Sequence, residues 1–130
     1  MSNGESPIGV MFNTDRMSGD ALREFGRQLE SIGIETLWVP ELFGREPFVT
    51  AGHVLSSTTT LRVGSGIANI YARDATAAAA GALTLSEFSS GRFVLGLGVS
   101  NAGLAEARGH DWEPPVEKLR EYVNAVRGAK

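Results

Sequence analysis

Few residues in this 130-residue chain are of a type that does chemistry, and several candidate chemistries can be set aside at once. There is no cysteine, which removes disulfides, thiolate metal sites and a cysteine nucleophile. The two histidines, His53 and His110, are too far apart in the chain to give a metal-ligand spacing, and no metal site is expected. His53 falls within a helical pattern and reads as structural or surface-exposed. His110, beside Asp111 and Trp112, reads as a solvated loop histidine, with the mouth of a substrate site as the other reading. Ser86, Ser89 and Ser90 lack the strand–turn–helix setting of a nucleophilic serine. Glu41 stands apart, because it follows a short apolar run closed by Pro40 and so delivers a carboxylate to a strand end. It could orient a proton donor or contact a ring, or be an exposed loop carboxylate balanced by Arg45. The other candidates are amides and backbone groups. Asn69 stands at a strand end, as a ligand contact or a turn former. Gly96-Leu-Gly98, followed by Val99-Ser100-Asn101, can turn backbone N–H groups toward a phosphate, but a lone GxG is a weak signal and taken by itself reads as tight strand packing.

The elements that must hold these groups alternate regularly. Ile8–Phe12 is β-rich and ends in Asn13-Thr14-Asp15, and Ser18 can cap the helix that follows. Leu22, Phe25, Leu29 and Ile32 fall at helical spacing, and Gly33 sits where a helix-ending glycine belongs. Thr36–Val39 is a second strand, and Pro40 ends it for want of a ladder donor. A second helix runs from about Glu46 to Ser57. Leu61–Ala68 is a third strand, in which Gly64 and Gly66 mark a bulge or a close backbone approach. Asp74 can cap a third helix carrying the alanines 77–80, whose small side chains suit close packing on a sheet. Gly91 ends that helix, Phe93–Val99 is a fourth strand, and Pro114 and Pro115 open a fourth helix with Val116, Leu119, Val123 and Val126 on its inner face.

Strand starts near Ile8, Thr36, Leu61 and Arg92 make four βα units of roughly 25 to 30 residues, the repeat of parallel βαβ crossovers. An α/β doubly wound open sheet and part of a closed barrel both fit. Neither GxxxxGK[ST] nor GxGxxG follows strand one, which weakens the nucleotide-binding open sheet. A full (β/α)8 barrel takes about 250 residues. Composition agrees with a folded domain, at 42% hydrophobic and 21% charged residues. A net charge of −3 with scattered basic residues speaks against nucleic acid and against an anionic membrane surface. The polar start of the chain has no signal-peptide core, and the apolar run 75–85 is too short to span a bilayer, so a cytoplasmic protein is expected.

Taken in order, these segments resemble a known family. They are a first strand ending in Asn13; Trp38-Val-Pro-Glu41; Val63-Gly-Ser-Gly-Ile67; Gly91-Arg-Phe-Val-Leu-Gly-Leu-Gly-Val99; and Gly109-His-Asp-Trp112 before a proline and Leu119-Arg-Glu-Tyr122. Together they resemble the luciferase-like monooxygenase superfamily, and within it the branch that uses the deazaflavin coenzyme F-420. The resemblance implies the N-terminal half, four βα units, of a (β/α)8 TIM-type barrel over residues 8–130, after a flexible N-terminus of residues 1–7. It implies a cofactor, coenzyme F-420 or alternatively FMN, at the C-terminal ends of the strands, and a small organic substrate undergoing hydride transfer or monooxygenation. By that resemblance Glu41 is the catalytic candidate, and Asn13, Gly66, Ile67, Asn69, Gly98, Ser100 and Asn101 are the cofactor-binding candidates. It further implies a cis peptide at Gly66–Ile67. Leu42 replaces the histidine that follows the acidic residue in related enzymes, which puts their acid–base mechanism in doubt here. A half-barrel exposes a concave face and two strand edges, so self-association into a homo-oligomer is expected, with Val10, Phe12, Trp38, Val63, Phe93 and Leu95 read as inward-facing. The alternatives are a non-catalytic half-barrel that self-associates or serves as an interaction module, and an unrelated phosphate-binding barrel enzyme.

Overall fold

A computed structural model describes residues 7–129, so the expected flexible N-terminus lies outside the described residues except for Pro7. Four βα units follow in the expected order. Strands β1 (Gly9–Met11), β2 (Thr36–Val39), β3 (Arg62–Ser65) and β5 (Phe93–Val94) form one parallel sheet in the order β1-β2-β3-β5. Helices α1 (Gly19–Ser31), α2 (Pro47–Ser56) and α3 (Ala75–Phe88) connect them. Each helix opens on a side-chain cap that accepts an otherwise unmatched N–H: Ser18 from Ala21 at 3.1 Å, Glu46 from Val49 at 2.7 Å, and Asp74 from Ala77 at 2.8 Å. Gly33 and Gly91, at φ +87° and +82°, make the left-handed turns that follow α1 and α3.

The third and fourth strands, expected to run unbroken, are each split. Short strands β4 (Ala68–Asn69) and β6 (Leu97–Gly98) form a second parallel pair, with Ala68 opposite Leu97 and Asn69 opposite Gly98. The break is a local exchange of hydrogen bonds. The fully buried Ser65 hydroxyl donates to the Gly96 carbonyl at 2.8 Å and accepts the Gly96 N–H at 2.9 Å, replacing the ladder where the chain bends. The peptide bond between the two pieces of the third strand, Gly66–Ile67, is cis, as the resemblance implied.

Register decides which face is the core. Val10, Leu37, Val63 and Phe93 lie side by side across the sheet and turn toward the helices. They pack with Leu22 and Leu29 of α1 and Ala51, Val54 and Leu55 of α2. Phe12 joins this side through Phe25 of α1, ring centroids 5.3 Å apart, and Leu95 packs against the same core. Five of the six side chains expected on the concave face therefore belong to the helical layer. Only Trp38 lies opposite, because side chains alternate along a strand and a one-residue offset moves the whole set. The concave face carries Met11, Trp38 and Val94, with the indole lying across Gly9 and Gly64. A Cβ on Gly64 would stand 2.5 Å from the Trp38 ring, so that glycine makes room for the indole. Two helical stripes are also shorter than expected: Ile32 caps α1 and is exposed, and Val116 is exposed at the start of the last helix.

Two side chains hold the far end of the sheet, and neither stands out by residue type. Arg92 donates to the Leu55, Thr58, Leu61 and Ser89 carbonyls and to the Thr58 hydroxyl at 2.8–3.1 Å, tying the ends of α2 and α3 to the start of β3. A cation there also suits the negative end of α2. Glu30 accepts N–H groups from Thr59, Thr60 and Leu61 and the Thr59 hydroxyl, capping the turn before β3. Burial favours its protonated form, but these hydrogen bonds outweigh that and hold its pKa at about 2. The folded value is below the unfolded one, so the stabilisation is present above about pH 4.5 and is lost as the pH falls through about 2. We expect Glu30→Gln to lose about 1–2 kcal/mol at pH 7. Denaturant melts of parent and variant should converge as the pH approaches 2, and an unchanged gap at low pH would refute the assignment.

Candidate functional site

The C-terminal ends of β2, β4 and β6 meet, and the polar candidates gather there. Glu41, one residue beyond Pro40, is only 7% exposed, not the loop carboxylate that composition allowed. Its Oε1 accepts the Asn69 N–H at 2.7 Å, and its Oε2 accepts from the Arg73 guanidinium. Arg45, the expected counter-charge, is engaged elsewhere: its backbone N–H donates to Asp15 at 3.0 Å and its guanidinium to the Met17 carbonyl. Asn69 is 1% exposed, and its Oδ1 accepts the Tyr71 N–H at 2.9 Å, so the turn-forming reading holds for that oxygen. The Asn69 Nδ2, by contrast, is a buried donor without a protein acceptor. Native proteins rarely leave such a group unmet, and a bound acceptor is one of the few ways to satisfy it.

Gly66, Ile67 and Gly98 complete a continuous patch beside Asn69. The Ile67 side chain packs over Gly98, where an added Cβ would come within 2.7 Å of it, and Gly66 lies against Met11 and Trp38. The glycines of strands three and four thus serve close packing here, whatever they offer a ligand. The three remaining candidates make local contacts of their own. Asn13 is exposed and accepts the Asp15 N–H at 2.9 Å. Ser100 holds a left-handed conformation at φ +61°. Asn101 caps a short helix in the stretch expected as loop, α4 (Ala102–Ala107), accepting the Leu104 N–H at 2.9 Å.

Several residues at this end were not singled out from the sequence. Arg73 bridges Glu41 and Glu46. Arg108, at the end of α4, lines a small cleft of about 170 Å³ with Glu41, Leu42 and Phe43, and its Nη1 is a second buried donor without a partner. A wider cleft of about 640 Å³ runs between the turn after β4 and the start of α5 (Pro115–Gly128). Tyr71, His110, Lys118 and Tyr122 are among its lining, so His110 is half-buried at a cleft and not a freely solvated loop residue. Tyr71 stacks on Trp112 at 5.8 Å between centroids, with the Lys118 ammonium 4.4 Å from its ring. Burial raises the Tyr122 pKa against the pull of Arg73, with Asp74 and Glu41 adding to the rise, so its phenol stays a hydrogen-bond donor. His53 is structural, its Nε2 2.8 Å from the Gly19 carbonyl oxygen. Among the described residues no three metal-ligating side chains gather, and no helix is long and apolar enough to cross a membrane.

The family model for luciferase-like monooxygenases matches residues 5–130. The chain belongs to that family. Within it, this chain is 36% identical over 99 residues to a putative coenzyme F-420-dependent oxidoreductase of Mycobacterium tuberculosis, covering 75% of this chain and 28% of the relative. It is 29% identical over 108 residues to a 5,10-methylenetetrahydromethanopterin reductase of Methanolobus tindarius, covering 82% and 33%. The fold matches that of the coenzyme F-420-dependent tetrahydromethanopterin reductase of Methanopyrus kandleri with a TM-score of 0.83 at 20% identity, over 94% of this chain and 39% of that one. It also matches the oxygenating constituent of 3,6-diketocamphane monooxygenase from Pseudomonas putida, solved with FMN, at a TM-score of 0.78 and 16% identity over 92% and 38%. The chain spans about a third of the length of the curated relatives it matches. In this luciferase-like chain the four βα units are therefore the first half of a TIM-type barrel, as the resemblance implied.

Proposed function

We propose that this chain is the cofactor-facing N-terminal half of a deazaflavin- or flavin-dependent oxidoreductase, with coenzyme F-420 as the preferred cofactor and FMN as the alternative. The observation that carries the reading is the unmet Nδ2 donor of the buried Asn69, at the C-terminal end of a barrel strand. Deazaflavin and flavin rings share a pyrimidine edge that presents carbonyl acceptors, so the donor chemistry of this patch fits either. Gly66, Ile67, Asn69 and Gly98 would carry the ring. Asn13, Ser100 and Asn101 would lie further out, toward the rest of the cofactor. When bound, the cofactor supplies hydride transfer to or from an organic substrate, or in FMN relatives the activation of oxygen. The chain's own residues bind and orient the ring and keep water from its reacting face. As part of the same reading the protein works in the cytoplasm, self-associates, and binds a small organic molecule and not nucleic acid or membrane.

The test is direct titration of the 130-residue protein with coenzyme F-420 and with FMN, following absorbance and fluorescence. A saturable spectral shift with little or no turnover is expected, since this segment holds four strands of an eight-stranded wall and Leu42 stands where the resemblance implies a proton-handling histidine. Asn69→Leu should weaken that binding about tenfold, the worth of one buried hydrogen bond to a ligand. No shift with either cofactor would overturn the reading and favour a non-catalytic half-barrel.

A further inference from the structure

One guanidinium ties together the parts of this end that the proposed binding patch depends on. Arg73 lies in the turn between β4 and α3, its side chain only 11% exposed. Its Nη2 donates to Glu41, at the end of β2, and to Glu46 at 3.1 Å, the residue that caps α2. Its Nη1 donates to the Asn69 carbonyl at 3.3 Å, and its carbon stands 4.8 Å from the centre of the Phe48 ring. Its own carbonyl accepts the Tyr122 hydroxyl of α5 at 2.9 Å, and the next residue, Asp74, caps α3. The planar fork of arginine makes several such bonds from one position, which a lysine's point charge does not.

This arrangement changes what Glu41 can do. Its two oxygens are directed at the Asn69 N–H and at Arg73, both part of the protein's own frame. A group that exchanges protons with a substrate needs an oxygen within hydrogen-bond reach of the reacting atom. We propose that Arg73 is a positioning residue that, through Glu41, sets the backbone of Ala68–Arg73 and hence the ligand-facing side of β4, and that Glu41 belongs to this frame. The proposal rests on the cofactor reading above for its consequence, but not for its geometry. A buried pair of this kind is weak evidence for stability as such. Its distinctive consequence is local: one segment held in one place.

Three variants of the full chain separate the possibilities: Arg73→Lys, Arg73→Ala and Glu46→Gln. Amide hydrogen exchange reads the segment directly at Asn69, Ile70 and Ala72, with Val54 and Val63 reporting the core. Arg73→Lys should speed exchange at the first three by about tenfold or more with the core amides unchanged, and should weaken F-420 or FMN binding by a similar factor. Arg73→Ala should go further in the same direction, whereas Glu46→Gln, which loses only the more exposed arm, should leave both readouts near the parent. Exchange that rises equally at all five amides, or that stays unchanged in Arg73→Lys, would overturn the positioning role. If the parent titrates with neither cofactor, the proposed function falls, and the exchange pattern still decides what Arg73 does. Glu41→Gln has one oxygen where the carboxylate uses two, so an acceptor for Asn69 leaves an amide N–H facing the Arg73 guanidinium. It should therefore speed exchange at Asn69, Ile70 and Ala72 as Arg73→Lys does, with Val54 and Val63 unchanged, and parent-like exchange in this variant would show that Arg73 does not act through Glu41.

Discussion

Gly96→Ala should be among the most damaging single substitutions in the chain, costing on the order of 3 kcal/mol or more. A Cβ at this position would stand 2.0 Å from the Ser65 carbonyl oxygen, and a main-chain atom cannot swing aside as a side-chain tip can. The neighbour is also committed, because Ser65 is fully buried and exchanges two hydrogen bonds with Gly96, while the Gly96 carbonyl accepts the Ala68 N–H at 2.7 Å. Relieving the clash therefore separates β3 from β5 at the bend and breaks the start of the β4–β6 pair. Gly98→Ala meets only the Ile67 side chain, at 2.7 Å, and should cost less. Chemical denaturation of the two variants checks the order. Equal midpoints for Gly96→Ala and the parent would mean that the close approach of these strands is not as described.

The alternation of strands and helices was legible because each unit carries its own punctuation. Ser18 and Asp74 cap helices where expected, and Gly33 and Gly91 end them with positive φ. What stayed hidden was facing. β1 and β2 are three and four residues long, too short for alternation to declare a face when both sides of a barrel strand carry apolar groups. Val10 and Met11 are equally apolar, and only the pairing of Val10 with Leu37 and of Met11 with Trp38 distinguishes them. The short helix α4 is hidden for a similar reason: Gly103 lowers its helix propensity, and an asparagine at a strand end serves a ligand or a cap equally well.

At the site, strand ends located Glu41 and Asn69, since a residue just past an apolar run must emerge at the rim of the sheet. Their partners were not legible, because each comes from a different βα unit. Arg73 lies 32 positions from Glu41, and nothing in the composition of 71–74 separates it from a solvated turn arginine. Its placement four residues after Asn69 and directly before the cap Asp74 was the available signal, since a cation that close to a strand end faces the same rim as Glu41. Arg92 is hidden in the same way, with acceptors drawn from α2, α3 and the loop before β3.

The 130-residue protein, expressed as it stands, should associate with itself, and the corrected facing says through which side chains. Met11 is 64% exposed on the concave face, beside a half-buried Trp38 and Val94, while β1 and β5 end the described sheet with one unpaired edge each. Covering a large apolar side chain is worth about 1.5–3 kcal/mol, which is a large share of a domain stability of about 5–15 kcal/mol. A twofold axis down the barrel would set β5 of each copy beside β1 of the other, running parallel, and would close eight strands with no edge left over. The helical faces would stay outside, and both concave faces would become one interior. Light scattering across a hundredfold dilution should show a dimer that gives way to a less stable monomer. Met11→Lys, which places a charge in the shared interior, should shift that equilibrium toward monomer by about tenfold or more, the cost of burying an unpaired ammonium. Replacing exposed Ile32 with Lys, at the end of α1 on the outer surface, should leave it unchanged. A chain that stays monomeric at every concentration with a cooperative melt would show that this face needs no cover, and an equal response to both substitutions would show that the contact lies elsewhere.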